Sequence, residues 1–294
     1  MEEVGERDPV TGRMTTGHDW NGITELNTPV PRVVIFFLAV TTIFSVVYWI
    51  LMPSWPLGST YTKGLLGIDQ KHVVQTQLEA AAAQREGWMK QIASDDFATI
   101  QANPALMQIV HETGKTLFGD NCAVCHGIDG SGGKGFPNLK AAAWLWGGDP
   151  QTIYQTLTAG INSANAETRT SQMPAFGRDG VLNAGQIDDV VAYVRSLGGS
   201  TDTTGITPEK VARGKEVFQA NCVACHGDDA KGNHDMGAPN LTDPVWIYGG
   251  DRQSITASVY GGRQGHMPSW QDRLSDAQRK ILTLYVLSLP EQRS

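Results

Sequence analysis

GKTLFGDNCAVCHGIDGSGGKG, from Gly114 to Gly135, comes back as GKEVFQANCVACHGDDAKGNHD from Gly214 to Asp235. The likeness runs on downstream: FPNL from Phe136 matches APNL from Ala238, and WLWGGDPQTI from Trp144 matches WIYGGDRQSI from Trp246. MPAF from Met173 then matches MPSW from Met267, and AYVRSL around Tyr193 matches LYVLSL around Tyr285. Two copies at this period are too few and too long for a solenoid. The repeat predicts two homologous globular domains in tandem, over 105–199 and 205–294, joined by the polar, glycine-rich stretch GGSTDTTG from Gly198 to Gly205.

All four cysteines lie in two C-x-x-C-H motifs, Cys122, Cys125, His126 and Cys222, Cys225, His226. That spacing is the signature of covalent c-type haem attachment. One helical turn sets two thiols under the two porphyrin vinyl groups, and the next histidine falls beneath the iron. A structural zinc site would need its two C-x-x-C units about 15–20 residues apart, and here about a hundred residues separate them. A thioredoxin-like dithiol needs a βαβ context that this sequence lacks. The motifs therefore predict two covalently bound haem c groups.

A low-spin electron-transfer haem takes a second axial ligand, and methionine there raises its potential. Of eight methionines, only Met173 and Met267 are equivalent in the two repeats, and a proline follows each. Proline holds the preceding residue extended, which helps aim the sulfur. Met1, Met14 and Met52 lie in or before the apolar segment described below. Met89 and Met107 fall in helical patterns as packing residues, and Met236 has no counterpart. His266 is matched by Gln172, and His111 and His234 have no partner in the other repeat. The metal ligands predicted are His126, Met173, His226 and Met267. Which methionine serves which haem stays open.

Helical patterns run over Met107 to Gly119, Thr207 to Ala220, Asn183 to Leu197 and Ser275 to Leu289. Gly114 and Gly214 would let helices cross closely. This arrangement, few helices around a haem that supplies much of the core, resembles the class I cytochrome c fold. Trp144, Trp146, Trp246 and Tyr248 either contact haem propionates or pack. The chain of 294 residues has a formal charge of −7 and 18% charged residues, so it lacks the basic footprint of a nucleic-acid binder.

Val33 to Met52 is twenty residues without a charge, about 30 Å of helix and enough to span a bilayer's hydrocarbon core. It predicts one transmembrane helix, 33–52, after an N-terminal segment, 1–32. A signal peptide is disfavoured because about thirty mostly polar residues precede the run. Basic residues are sparse on both sides, so charge does not orient it. Between anchor and first haem motif, the linker 53–104 carries a helical stripe from Asp69 to Ala102, readable as a stalk or as a docking helix.

The whole layout resembles the dihaem subunit III of cbb3-type haem–copper oxidases, the CcoP/FixP family. HDWNGITELNTPVPR (His18 to Arg32) precedes the anchor, PSWPLGSTYTKGLLG (Pro53 to Gly67) follows it, and two C-x-x-C-H domains complete the chain. The resemblance implies a chain that is mainly α and is no enzyme by itself, with no catalytic residues. It implies electron transfer from a soluble or membrane cytochrome c donor towards a catalytic haem b/copper subunit that reduces oxygen to water and pumps protons. A monohaem cytochrome c subunit is a further implied partner. In the family, the methionine of one domain serves either its own haem or that of the other. Such haems are attached outside the bacterial inner membrane, which implies a cytoplasmic N-terminus and periplasmic haem domains. The competing expectations are a free-standing tethered dihaem shuttle and a dihaem peroxidase with one open iron site.

Overall fold

The computed structural model describes residues 5–141, 143–198 and 203–289. Half of the linker expected at 198–205, residues 199–202, and the ends of the expected outer segments at 1–4 and 290–294, lie outside them. The chain divides into two compact units, 1–84 and 85–294.

The first unit opens with a hairpin that the sequence reading did not anticipate, β1 (Thr15–Trp20) against β2 (Ile23–Leu26). Asn21 and Gly22 both take positive φ, the requirement of a tight hairpin turn, and Asp19 accepts the Gly22 N–H at 2.6 Å. Next comes α1 (Arg32–Leu51), with none of its residues buried and long and apolar enough to cross a membrane. Its hydroxyls are silenced locally: Thr41, Thr42 and Ser45 donate to carbonyls one turn back at 2.7–2.8 Å. The chain then folds back so that Leu65 and Leu66 N–H groups cap the Ile50 and Leu51 carbonyls. Gly64 makes this possible, since a Cβ there would sit 2.3 Å from the Leu51 oxygen.

Helix α2 (Gln70–Ser94) crosses the boundary between the units. The second unit continues with α3 (Phe97–Ala102), α4 (Pro104–Asn121), α5 (Ala123–His126), α6 (Pro150–Ala159) and α7 (Ala184–Leu197). After these come α8 (Pro208–Asn221), α9 (Val223–His226), α10 (Arg252–Gly261) and α11 (Asp276–Leu287). Side-chain caps fix the starts: Asn183 and Ser275 form capping boxes with Gln186 and Gln278, and Thr207 precedes Pro208.

The two repeats are interleaved. Helix α7, from the first, packs chiefly on α8 of the second and on α10, while α11, from the second, packs on α4 and α6. The glycine crossings expected from sequence occur, but between repeats. A Cβ at Gly114 of α4 would meet Tyr285 of α11 at 2.6 Å, and one at Gly214 of α8 would meet the Asp189 carbonyl of α7 at 2.0 Å.

The cores follow this exchange. One holds Phe118, Ile153 and Leu157 with Trp270, Leu274, Leu282 and Val286. Its counterpart joins Leu182, Val190, Val191 and Val194 to Phe218, Ile255 and Val259. A third cluster packs Ile92, Ile100, Leu106 and Val110 against Ile281 and Leu284, seating the end of the stalk on α4 and α11. Trp88, Met89 and Met107 pack against it, so both methionines are structural. Lys280 of α11 also donates to the Ala93 and Asp95 carbonyls at 2.7 and 2.9 Å.

The connection explains the pairing. Only ten residues separate α7 from α8, and helices joined by a short link pack as antiparallel neighbours. Their seam is also charged: Asp189 takes a bidentate Arg213 at 2.7 Å, and Asp188 bridges Lys210 of α8 and Arg252 of α10.

Candidate haem sites

Each C-x-x-C-H motif forms one helical turn at the end of a long helix. Cys122 closes α4 and Cys222 closes α8, both with αR backbone, and α5 and α9 carry the histidines. Gly127 and Gly227 then turn the chain through positive φ. His126 Nδ1 lies 3.1 Å from the Pro137 carbonyl and His226 Nδ1 lies 3.0 Å from the Pro239 carbonyl. A carbonyl oxygen only accepts, so Nδ1 carries the proton and Nε2 keeps its lone pair for a metal. Burial depresses the pKa of both imidazoles, against the smaller opposing effect of those carbonyls. Both shifts favour the neutral imidazole, the form that ligates.

Burial, with a smaller contribution from the second cysteine of each motif, pushes Cys122 and Cys222 up to about 11. All four cysteines are free, and no group of three or more His, Cys, Asp or Glu residues suited to a metal ion occurs among the described residues. Tetrahedral zinc is not served by this donor set.

The two methionine loops are pinned by two-way backbone pairing. Met267 exchanges N–H···O bonds with Ile161, both 2.9 Å, and Met173 does so with Arg263 at 2.8 and 3.0 Å. Ile161 and Arg263 occupy matching places just beyond α6 and α10. Each methionine is thereby fastened to the other repeat. Met267 packs on the same cluster as Cys122, with Phe118 and Trp144, and Met173 packs on the same cluster as Cys222, with Phe218 and Trp246. His266, the rival to Met267, is exposed, as are Gln172 and Met236.

The residues fit a haem at each site. Two free thiols stand one turn apart, an imidazole offers Nε2, and a thioether joins the hydrophobic cluster on which the first thiol packs. The aromatic residues left open by sequence divide into two pairs. Trp144 and Trp246 pack against the cores, whereas Trp146 and Tyr248 each lie under an arginine. The two histidine-holding loops face one cleft, lined by Pro137, Asn138 and Leu145 from one repeat and Pro239, Asn240 and Ile247 from the other.

Comparison with known proteins identifies the family. Residues 12–59 match the family described as the N-terminal domain of cytochrome oxidase-cbb3, FixP, residues 111–198 match cytochrome c, and residues 209–286 match cytochrome C oxidase, cbb3-type, subunit III. The cbb3-type cytochrome c oxidase subunit FixP of Bradyrhizobium diazoefficiens is 45% identical over 291 residues, covering 98% of this chain and 99% of the relative. Subunit CcoP of an Azospirillum species is 42% identical, with 96% and 97% covered. Subunit CcoP of Cereibacter sphaeroides is also 42% identical, with 94% of each chain covered. The chain thus belongs to the FixP/CcoP family, subunit III of the cbb3-type cytochrome c oxidases.

Proposed function

We propose that this chain is the membrane-anchored dihaem electron-transfer subunit of a cbb3-type oxidase and carries no oxygen chemistry of its own. Cys122 and Cys125 would hold one haem, with His126 and Met267 as its ligands. Cys222 and Cys225 would hold the other, with His226 and Met173. The pairing is thus crossed between the repeats. The observation that carries this reading is the duplicated one: the first cysteine of each motif, four residues before its carbonyl-oriented histidine, packs on the same hydrophobic cluster as the methionine of the opposite repeat.

When bound, each haem supplies a one-electron carrier. The protein's own residues set its conditions. Pro137 and Pro239 hold the histidine tautomer, the interleaved cores keep water from the thioether side, and methionine sulfur favours the reduced iron. With a histidine and a methionine for each haem, these ligands would leave no open iron position for a peroxidase reaction. The two proximal loops share one cleft within a single compact unit, an arrangement that would suit electron exchange between the two groups.

In the oxidase, electrons come from a soluble or membrane cytochrome c and leave towards the haem b/copper catalytic subunit, with the monohaem cytochrome c subunit as a second partner. Helix α1 lies in the bacterial inner membrane, with the N-terminal hairpin cytoplasmic and the haem-bearing unit periplasmic. Purification from native membranes in mild detergent tests this assignment. Co-purification with haem b, copper and oxygen-reducing activity is expected. A dihaem c protein that stays alone through several mild detergents would make it a tethered shuttle instead.

A further inference from the structure

Two arginines outside the ligand set repeat one local construction. Arg169 and Arg263 each stand four residues before the methionine of their repeat. The Arg169 guanidinium lies over Trp146, 4.9 Å from the ring centroid, and that of Arg263 lies over Tyr248 at 4.3 Å. Arg169 Nε donates to Thr156 Oγ1 at 3.0 Å and Arg263 Nε donates to Ser258 Oγ at 2.9 Å. Thr156 and Ser258 are matching positions on α6 and α10, the helices of the two haem-site cores.

The remaining donors of each guanidinium are nearly unused. Arg169 Nη2 reaches only the Thr152 carbonyl, at 3.4 Å, and Arg263 makes no further side-chain hydrogen bond among the described residues. Neither forms an ion pair with a carboxylate among those residues. The nearby acids are committed elsewhere: Asp149 accepts the Thr152 N–H and Asp251 the Ser254 N–H, each at 3.0 Å, as helix caps. Asp251 does line the shallow pocket beside Arg263, together with Lys134 and Tyr248.

Both arginines are partly buried. Partly burying a cation without an ion-paired carboxylate is costly; among the described residues neither guanidinium has one within bridging distance, although Asp149 acts on Arg169 from farther away. A ring below and a hydroxyl at Nε fix the plane of each guanidinium and leave the fork of its terminal nitrogens with at most one long hydrogen bond. That fork matches a carboxylate, taken bidentately. A haem brings carboxylates of its own, the propionates, one pair to each site.

We propose that Arg169 and Arg263 are the propionate-binding residues of the two haems, Arg169 for the haem of His126 and Arg263 for the haem of His226. The assignment rests on the dihaem reading above. Arg169 follows the crossed logic: it is close in sequence to Met173, yet it is fastened to α6 in the core that holds Met267. A cation beside a propionate disfavours the ferric state and so raises the potential of its haem.

The test is a redox titration of the full-length dihaem protein in detergent. Cys125→Ala labels the first haem optically, because a haem held by one thioether keeps a conjugated vinyl group and absorbs at longer wavelength. In that background, Arg169→Gln should lower the midpoint of the labelled haem alone and Arg263→Gln that of the unlabelled haem alone. Arg169→Lys and Arg263→Lys, which keep the charge, should each recover part of the shift. Unchanged midpoints in both glutamine variants overturn the proposal, whatever they do to haem content or melting temperature. Wild-type midpoints that depend on added inorganic phosphate, with the dependence abolished by the glutamine variants, also overturn it, in favour of an exchangeable anion. Absence of the near-infrared methionine–iron band in the wild type would refute the axial ligands instead, and the midpoints would still decide the arginines.

Discussion

Truncating Leu282 should loosen the first haem site, although Leu282 lies in the last helix of the second repeat. Its side chain is 1% exposed and belongs to the cluster with Phe118, Leu157 and Trp270, on which Cys122 and Met267 also pack. A buried leucine cut to alanine loses its transfer energy and leaves a cavity, together about 3 kcal/mol within a usual range of roughly 2–5. Exogenous imidazole enters such a site only when the methionine lets go, so its affinity reports local opening. At a factor of ten for every 1.4 kcal/mol, Leu282→Ala should tighten imidazole binding by up to about a hundredfold. Ferric protein carrying the Cys125→Ala label is titrated with imidazole, with and without the substitution. Binding at the labelled haem should tighten, and binding at the other should hold. Tightening at the unlabelled haem alone would refute the interleaved packing.

The helix crossings make a steric prediction. Gly214→Ala places a methyl 2.0 Å from the Asp189 carbonyl oxygen, forces α7 and α8 apart, and should cost about 1–3 kcal/mol or more in a denaturant melt. The charged seam predicts a pH dependence. Lys210 first, then Arg252, hold the Asp188 carboxyl below its ordinary range. Its contribution is therefore present above the unfolded-state carboxylate pKa and is lost as pH falls through the depressed one. Asp188→Asn should cost about 1 kcal/mol at neutral pH, since the groups are partly exposed and solvent screens the pairing, and the difference from wild type should vanish in acid. Met173→Leu should lower the potential of one haem and render it high-spin with both haems still covalently attached, as a spectroelectrochemical titration would show.

Much of this molecule is legible in its sequence. The motifs point to the ligands proposed above, the uncharged run points to the helix long and apolar enough to cross a membrane, and Asn183, Thr207 and Ser275 mark helix starts where the structure has caps. What the repeat conceals is which copy of a helix meets which partner. Near-identical faces make α11 on α4 and α11 on α8 equivalent on pattern alone. The brevity of the α7–α8 link breaks that tie, and it was readable only as a linker. Helices α6 and α10 are hidden by their setting among glycines, although Asp149-Pro150 and Asp251 are good starts. The N-terminal hairpin had its signal in Asn21-Gly22, overlooked inside a segment read only as polar. Arg169 and Arg263 carried a signal as well, the same offset from two equivalent methionines, but their stacking on Trp146 and Tyr248 emerges only in three dimensions.

The crossed ligand pairing is tested most directly by combining the Cys125→Ala label with Met267→Leu and, separately, with Met173→Leu, and recording which haem becomes high-spin. The arrangement described here predicts that Met267→Leu converts the labelled haem and Met173→Leu the unlabelled one. The opposite assignment, each methionine serving the motif of its own repeat, would contradict it.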